Sequence, residues 1–185
     1  LQMIRKAGYP AETHVVQTED DYLLTLHRIP NNNGSPVLLQ HALLSSSADF
    51  VVLGKNKGLA FILANHGYDV WLGNFRGNTH SRAHVFLSPS DSKFWNFSFH
   101  EMGIYDIPAM ILYITKITSQ PLHAYIGHSL GTTASYVMAA ERPEIARMVR
   151  MIISFAPAAF LKHVTSPLTL VSSFIANNQV KLYFL

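Results

Sequence analysis

Five residues near the middle of the chain have the types and spacing for covalent chemistry: Gly127-His128-Ser129-Leu130-Gly131. They follow a short apolar run, residues 122–126, and precede a stretch that opens in small residues, Thr132-Thr133-Ala134. A serine held at a sharp strand-to-helix turn needs glycines two residues before and two after it, so that neighbouring backbone can pass close by. Ser129 would then project its hydroxyl above a sheet as a nucleophile. The helix it opens points free N–H groups and a positive dipole end at the same place, which suits the oxyanion formed when serine attacks an ester. The bland alternative is a glycine-bounded turn with a surface serine. The apolar run before the turn and the helical pattern after it favour the catalytic reading.

The surrounding elements are legible as an alternation. Residues 14–18 and 22–28 read as two strands joined by the acidic turn Glu19-Asp20-Asp21, an antiparallel entry hairpin. A breaker-rich loop, residues 31–36, leads to a fully buried strand at 37–40, and His41-Ala42-Leu43-Leu44 leaves its C-terminal end. In open α/β sheets that edge is where ligands sit. Residues 58–67 have helical spacing and end in Gly67, residues 68–72 form another buried strand, and Phe94-Trp95-Asn96-Phe97 is a packing anchor in a polar and aromatic segment. The longest predicted helix covers residues 101–118, with Ile104, Ile107, Ile111, Ile114 and Ile117 on one face and Pro108 tolerated early. The helix after Ser129 stops near Pro143, and residues 148–155 form a further buried strand. Strands alternating with helices predict an α/β fold whose mostly parallel sheet is covered on both faces.

Composition narrows the function classes. About half of the 185 residues are apolar and few are charged, as for a well-buried globular interior. The net charge is +3 with scattered basic residues, so no stripe points to nucleic acid. There is no cysteine, hence no disulfide or thiolate metal site. No run of eighteen apolar residues predicts a transmembrane segment. The chain starts without Met or a signal-like core and ends on an apolar run, so it reads as cut at both ends.

Several motifs together resemble one family. The run 67–74 (Gly-Tyr-Asp-Val-Trp-Leu-Gly-Asn), Arg76-Gly77-Asn78-Thr79, Phe94-Trp95, Phe97-Ser98-Phe99, Glu101-Met102 and Tyr105-Asp106 closely resemble the animal acid lipases, gastric and lysosomal. Thr18-Glu19-Asp20, Arg28-Ile29-Pro30, Gln40-His41 and Gly127-His128-Ser129 match as well, so the resemblance covers nearly the whole chain. It implies an α/β-hydrolase core, hydrolysis of neutral lipid esters (triacylglycerols or sterol esters) at a lipid–water interface, and a secreted or lysosomal setting; no cofactor and no metal site is expected. Ser129 falls on the family's nucleophile, and the oxyanion-hole donors would be the backbone N–H groups of Leu43 and Leu130.

Three departures stand against that pattern. Ala42 replaces a family glycine; if that position needs a positive φ, alanine costs about 1 kcal/mol and tilts the Leu43 N–H. Leu130 replaces a family glutamine, keeping the N–H but losing an amide. Finally, a hydrolase of this fold needs an acid and then a histidine after the serine. No Asp follows Ser129, Glu141 and Glu144 lie about three helical turns away, and His163 is the sole later histidine. The chain therefore reads as an N-terminal part: residues 1–160 of the hydrolase core, and 161–185 as the start of a lid insertion. The alternative from another class, a catalytically inactive product that binds lipid or a partner, stays open. Epoxide or haloalkane opening wants Asp at the nucleophile position, against Ser129.

The remaining titratable groups have plainer expectations. His128 should turn away from the nucleophile, and His41 should bond locally beneath the oxyanion loop. His80, His84 and His100 fall in one polar segment and read as exposed loop histidines rather than a zinc site. Asp106 should anchor packing or pair locally with a basic neighbour such as Arg76. Asn33 and Asn96 begin glycosylation triplets, the first in a polar loop and the second expected to be buried.

Overall fold

A computed structural model describes residues 1–159. The short helix α1 (Gln2–Lys6) leads into the predicted hairpin, β1 (Glu12–Gln17) and β2 (Tyr22–Ile29), paired antiparallel with Val16 opposite Leu24. The acidic turn between them places Asp21 at φ +70° and is held by the Tyr22 N–H donating to Thr18 Oγ1 at 2.9 Å.

Next come β3 (Pro36–Gln40), α2 (Leu59–Asn65) and β4 (Asp69–Gly73). Every residue of both strands is buried, as their unbroken apolar runs require of strands covered on two faces. The two-residue β5 (Ala83–His84) pairs with β2. After α3 (Phe99–Glu101) and a single wide turn at Met102–Asp106, the chain forms α4 (Ile107–Thr118), β6 (Ala124–His128), α5 (Leu130–Glu141), α6 (Pro143–Ala146) and β7 (Ile152–Phe155).

Among the described residues the sheet runs β1-β2-β4-β3-β6-β7, with β4, β3, β6 and β7 parallel. Register decides where the site can be. Gln40 lies beside Gly73 on one side and Gly127 on the other, so three strands end at one level and release their loops over the same edge.

Alternation along the strands feeds two cores. Leu38, Trp71 and Tyr125 pack with Ile107, Ile111 and Ile114 of α4 on one face. Leu39, Leu72 and Ile126 pack with Phe61 of α2 and Ile4 of α1 on the other. At about 25 cal/mol per Å² of apolar surface removed from water, each large side chain contributes about 1.5–3 kcal/mol.

Three expectations are corrected. Residues 101–118 are not one uniform helix, because Pro108 has no N–H to give to the Ile104 carbonyl and would crowd it in an α turn. The chain widens at Met102–Asp106 instead, and the Ile104 carbonyl accepts from Arg142 Nη1 at 2.8 Å. Ile117, at the helix end, is exposed, and Met110 fills the core in its stead. The strand in residues 148–155 shortens to β7 and is not buried: Phe155 is 48% exposed, since β7 is the outermost strand among the described residues. The lid-insertion reading of 161–185 and His163 fall outside the described residues.

Phe94 anchors its loop as expected, fully buried against the Tyr22 ring at 5.2 Å. Asn96 is exposed, not buried, because the neighbouring aromatic rings turn inward and the amide turns out. Asn33 is exposed as expected.

Candidate active site

Ser129 stands between β6 and α5 with φ +50° and ψ −108°, a conformation that L residues rarely adopt. Both glycines of the turn are there for steric reasons. A Cβ on Gly127 would sit 2.7 Å from the Gly131 carbonyl carbon, and one on Gly131 would sit 2.5 Å from the Gln40 carbonyl oxygen. The first turn of α5 is thus pressed into the fork between the ends of β6 and β3.

Hydrogen bonds lock the strained turn. The Ser129 N–H donates to the Phe155 carbonyl at 2.9 Å, which extends the β6–β7 ladder. The Ser129 carbonyl accepts from the Thr132 N–H at 2.9 Å and from its hydroxyl at 2.6 Å. Thr132 Oγ1 also accepts from the Ala158 N–H, and Thr133 Oγ1 donates to the Ala158 carbonyl at 2.6 Å. Tyr125 donates its phenol to the Gly131 carbonyl at 2.7 Å; burial pushes its pKa well up, so it stays a neutral donor. Nothing in the local pattern singles out these two threonines and this tyrosine, since each acts through a contact made only after the strands align.

Leu130 opens α5, where the first N–H groups have no intrahelical acceptor. Leu43 lies in the turn leaving β3, more than half exposed. Among the described residues neither N–H is engaged in a hydrogen bond, and both residues line one small apolar pocket with Leu44, Phe97 and Met102. Ser129 does not line that pocket but stands at the turn immediately before Leu130.

The expected strain at Ala42 is not found. Ala42 keeps a negative φ and the left-handed residue is Leu44, at φ +60°. The loop therefore accepts an alanine where the resemblance has glycine, and places its backbone cost two residues later.

His41 holds this loop from beneath. Its Nδ1 bonds the Ala42 carbonyl at 2.8 Å, so Nδ1 carries the proton, and Nε2 accepts from the Phe75 N–H at 3.1 Å and from Asn78 Nδ2 at 3.0 Å. Burial pushes its pKa down to about 4, which keeps the ring neutral. A ring with both nitrogens occupied is a brace for the loop, as expected, and is not free to transfer protons. Asn78 also donates to Asn74 Oδ1 at 3.0 Å, and that oxygen accepts from the Ser47 N–H. The loops after β3 and β4 are one hydrogen-bonded unit.

Arg76 lies under the same unit. Its guanidinium meets Asp106 at 2.7 Å and Asp20 at 2.6 Å, and stacks 4.0 Å over the Tyr22 ring. Burial pushes the Asp106 carboxyl up, against the pull of Arg76. The expected pairing of Asp106 with Arg76 is found, and its role is to fix the loop after β4.

Other sequence candidates separate from the serine. His128 is half-buried at the β6 end, and Glu144 faces solvent in an ion pair with Arg142 at 2.6 Å. Among the described residues no histidine or carboxylate is hydrogen-bonded to Ser129. His80 and His100 are exposed as expected, but His84 is half-buried: its Nδ1 accepts the Phe86 and Leu87 N–H groups in a tight turn.

Residues 1–54 match the partial alpha/beta-hydrolase lipase region, and residues 35–178 match the alpha/beta hydrolase fold. The chain is 52% identical to Lipase 1 of Drosophila melanogaster over 87% of this chain and 37% of that protein. It is 42% identical to gastric triacylglycerol lipase of Rattus norvegicus over 99% of this chain and 48% of that protein. Human lysosomal acid lipase/cholesteryl ester hydrolase is 42% identical over 90% of this chain and 44% of its own length. Among solved structures, an esterase of Pyrococcus furiosus superimposes with TM-score 0.57 at 16% identity, covering 77% of this chain and 51% of that one. The epoxide hydrolase CorEH gives TM-score 0.57 at 14% identity over 90% of this chain and 50% of that one. At such identities these two likenesses show the fold alone. The chain spans about half the length of the curated relatives it matches. With a mixed sheet, a strained serine turn at its edge and a match to the fold's family model over residues 35–178, the chain belongs to the alpha/beta hydrolase fold family.

Proposed function

We propose that this chain carries the nucleophile and the oxyanion hole of a serine carboxylic-ester hydrolase acting on neutral lipids. The observation that carries the reading is the positive φ of Ser129 between two glycines that no larger residue could replace without collision. Backbone strain persists only where the surroundings over-determine it, and it concentrates at functional turns.

In the reaction, Ser129 Oγ attacks the ester carbonyl as its proton passes to a base. The carbonyl oxygen takes up negative charge beside the Leu43 and Leu130 N–H groups, and the alcohol leaves with a proton. Water then adds to the acyl-enzyme, releasing the carboxylic acid and restoring the serine. The base and its orienting acid come from outside residues 1–159. Triacylglycerols or sterol esters are the proposed substrates, met at a lipid–water interface in a secreted or lysosomal setting, because relatives named for those activities match the chain over most of its length.

The test is labelling of the protein isolated from its source with a fluorophosphonate, followed by peptide mapping. Modification of Ser129 that is prevented by a lipid-ester analogue is the expected result. An unlabelled Ser129 in a folded sample would defeat the reading and leave the non-catalytic, lipid-binding alternative.

A further inference from the structure

We propose that His27 and His80 form a site for a divalent transition-metal ion, of the zinc type, separate from the Ser129 turn. The two histidines are far apart in sequence and come together where β2 passes the loop after β4. Their ring centroids are 5.2 Å apart with planes at 76°. Two imidazoles bound to one tetrahedral zinc through Nε2, at about 2.0–2.1 Å each, bring their centroids to about 5 Å. The rings thus already stand at the separation a shared ion requires.

The surroundings suit a ligand. His27 is 6% exposed, and its Nδ1 is hydrogen-bonded to Ser47 Oγ at 3.0 Å. Among the described residues its Nε2 has no hydrogen-bond partner, nor does either ring nitrogen of His80. Both rings line a cavity of about 220 Å³ together with Ser47, the apolar Ile4, Val51 and Leu72, and the amino-terminal residues Leu1 and Gln2. Burial, and after it the positive charge of the nearby amino terminus, pushes the His27 pKa down to about 4 and lowers that of His80, so both rings can offer a neutral lone pair near pH 7.

Ser47 completes the arrangement. A ligating imidazole is oriented by the partner of its other nitrogen, and the Ser47 hydroxyl is that partner for His27. Among the described residues no third carboxylate or imidazole joins the pair to make a cluster of three, so solvent would fill the remaining positions. Nitrogen donors select zinc, copper or nickel over calcium and magnesium. Because the Ser47 N–H bonds Asn74, which in turn bonds Asn78 beneath His41, a bound ion would fasten β2 to the loop that carries Leu43.

The test is calorimetric titration of the folded protein with zinc chloride at pH 7.5, on the native sequence and on His80→Phe, His27→Asn and Ser47→Ala. One equivalent should bind, weakened by about tenfold or more in each histidine variant and less in Ser47→Ala. His80→Phe, on the exposed ring, keeps an aromatic partner for His27 and should unfold thermally like the native protein when metal is absent. Copper in place of zinc should give an electron paramagnetic spectrum with two nitrogen ligands, falling to one in His80→Phe. No saturable binding, or equal affinity and an unchanged nitrogen count in His80→Phe, would overturn the proposal.

Discussion

Gly131 rests directly on Gln40: a Cβ at Gly131 would lie 2.5 Å from the Gln40 carbonyl oxygen. The helix that begins after Ser129 is thereby set against the strand end that releases the Leu43 loop. Gly131→Ala should force the two apart and destabilise the fold by about 1–3 kcal/mol, the cost of overpacking a tight contact. Urea unfolding measures the loss, and slower fluorophosphonate labelling of Ser129 should accompany it. A fully stable, fully labelled Gly131→Ala protein would mean that the contact is slack.

The strain at Ser129 should be visible in stability. At φ +50° a glycine relieves a cost that serine and alanine both bear, of about 1–3 kcal/mol, while losing about 0.4–1 kcal/mol through its freer unfolded chain. Ser129→Gly should therefore unfold at higher urea than Ser129→Ala, by roughly 1 kcal/mol, with neither variant labelled. The reverse order would show that the turn is relaxed.

The oxyanion role proposed for Leu43 rests on its backbone and not on its side chain. Leu43→Ala should leave ester hydrolysis by the active enzyme within a few-fold of native. Leu43→Pro, which removes the N–H, should lower kcat by about 100- to 1,000-fold. Equal rates for the two variants would remove Leu43 from the site.

Breaking the buried pair beneath the site should be costly. Asp106 is fully buried against Arg76, and Asp106→Ala leaves that guanidinium inside with Asp20 as its carboxylate partner. A loss of about 3–5 kcal/mol is expected by denaturant unfolding, with little change at Asp20→Asn by comparison. A loss under about 1 kcal/mol would show that Asp20 alone suffices.

Acid should weaken the fold through His41. Its pKa falls from 6.5 in the unfolded chain to about 4 in the native one, so between those values the native state binds fewer protons. The stability this contributes is complete above pH 6.5 and is lost as pH falls through 4, on the order of 3 kcal/mol. His27 has the same sign. Unfolding free energies at pH 7 and pH 4.5 should differ less in His41→Gln than in the native sequence; an identical pH dependence would exclude His41 as a source.

Much of this was legible without coordinates, because it depends on local pattern. The alternation of apolar runs and helical spacings marked the α/β class, Gly127 and Gly131 marked the turn, and Asp106 on an apolar helix called for packing or a basic partner, of which Arg76 was one. Tertiary structure alone decided the rest, since each remaining feature is made by residues distant in sequence that meet only in a given register. Pro108 could be read as tolerated, but the wide turn before it depends on Arg142 reaching the freed Ile104 carbonyl. The exposure of β7 depends on its place at the end of the strand order. The shift of backbone cost from Ala42 to Leu44, and the meeting of His27, Ser47 and His80 around one cavity, depend on how the loops after β3 and β4 are stitched together. Local propensity acts within a few residues; which carbonyl, ring or hydroxyl lies opposite is fixed by strand register and packing.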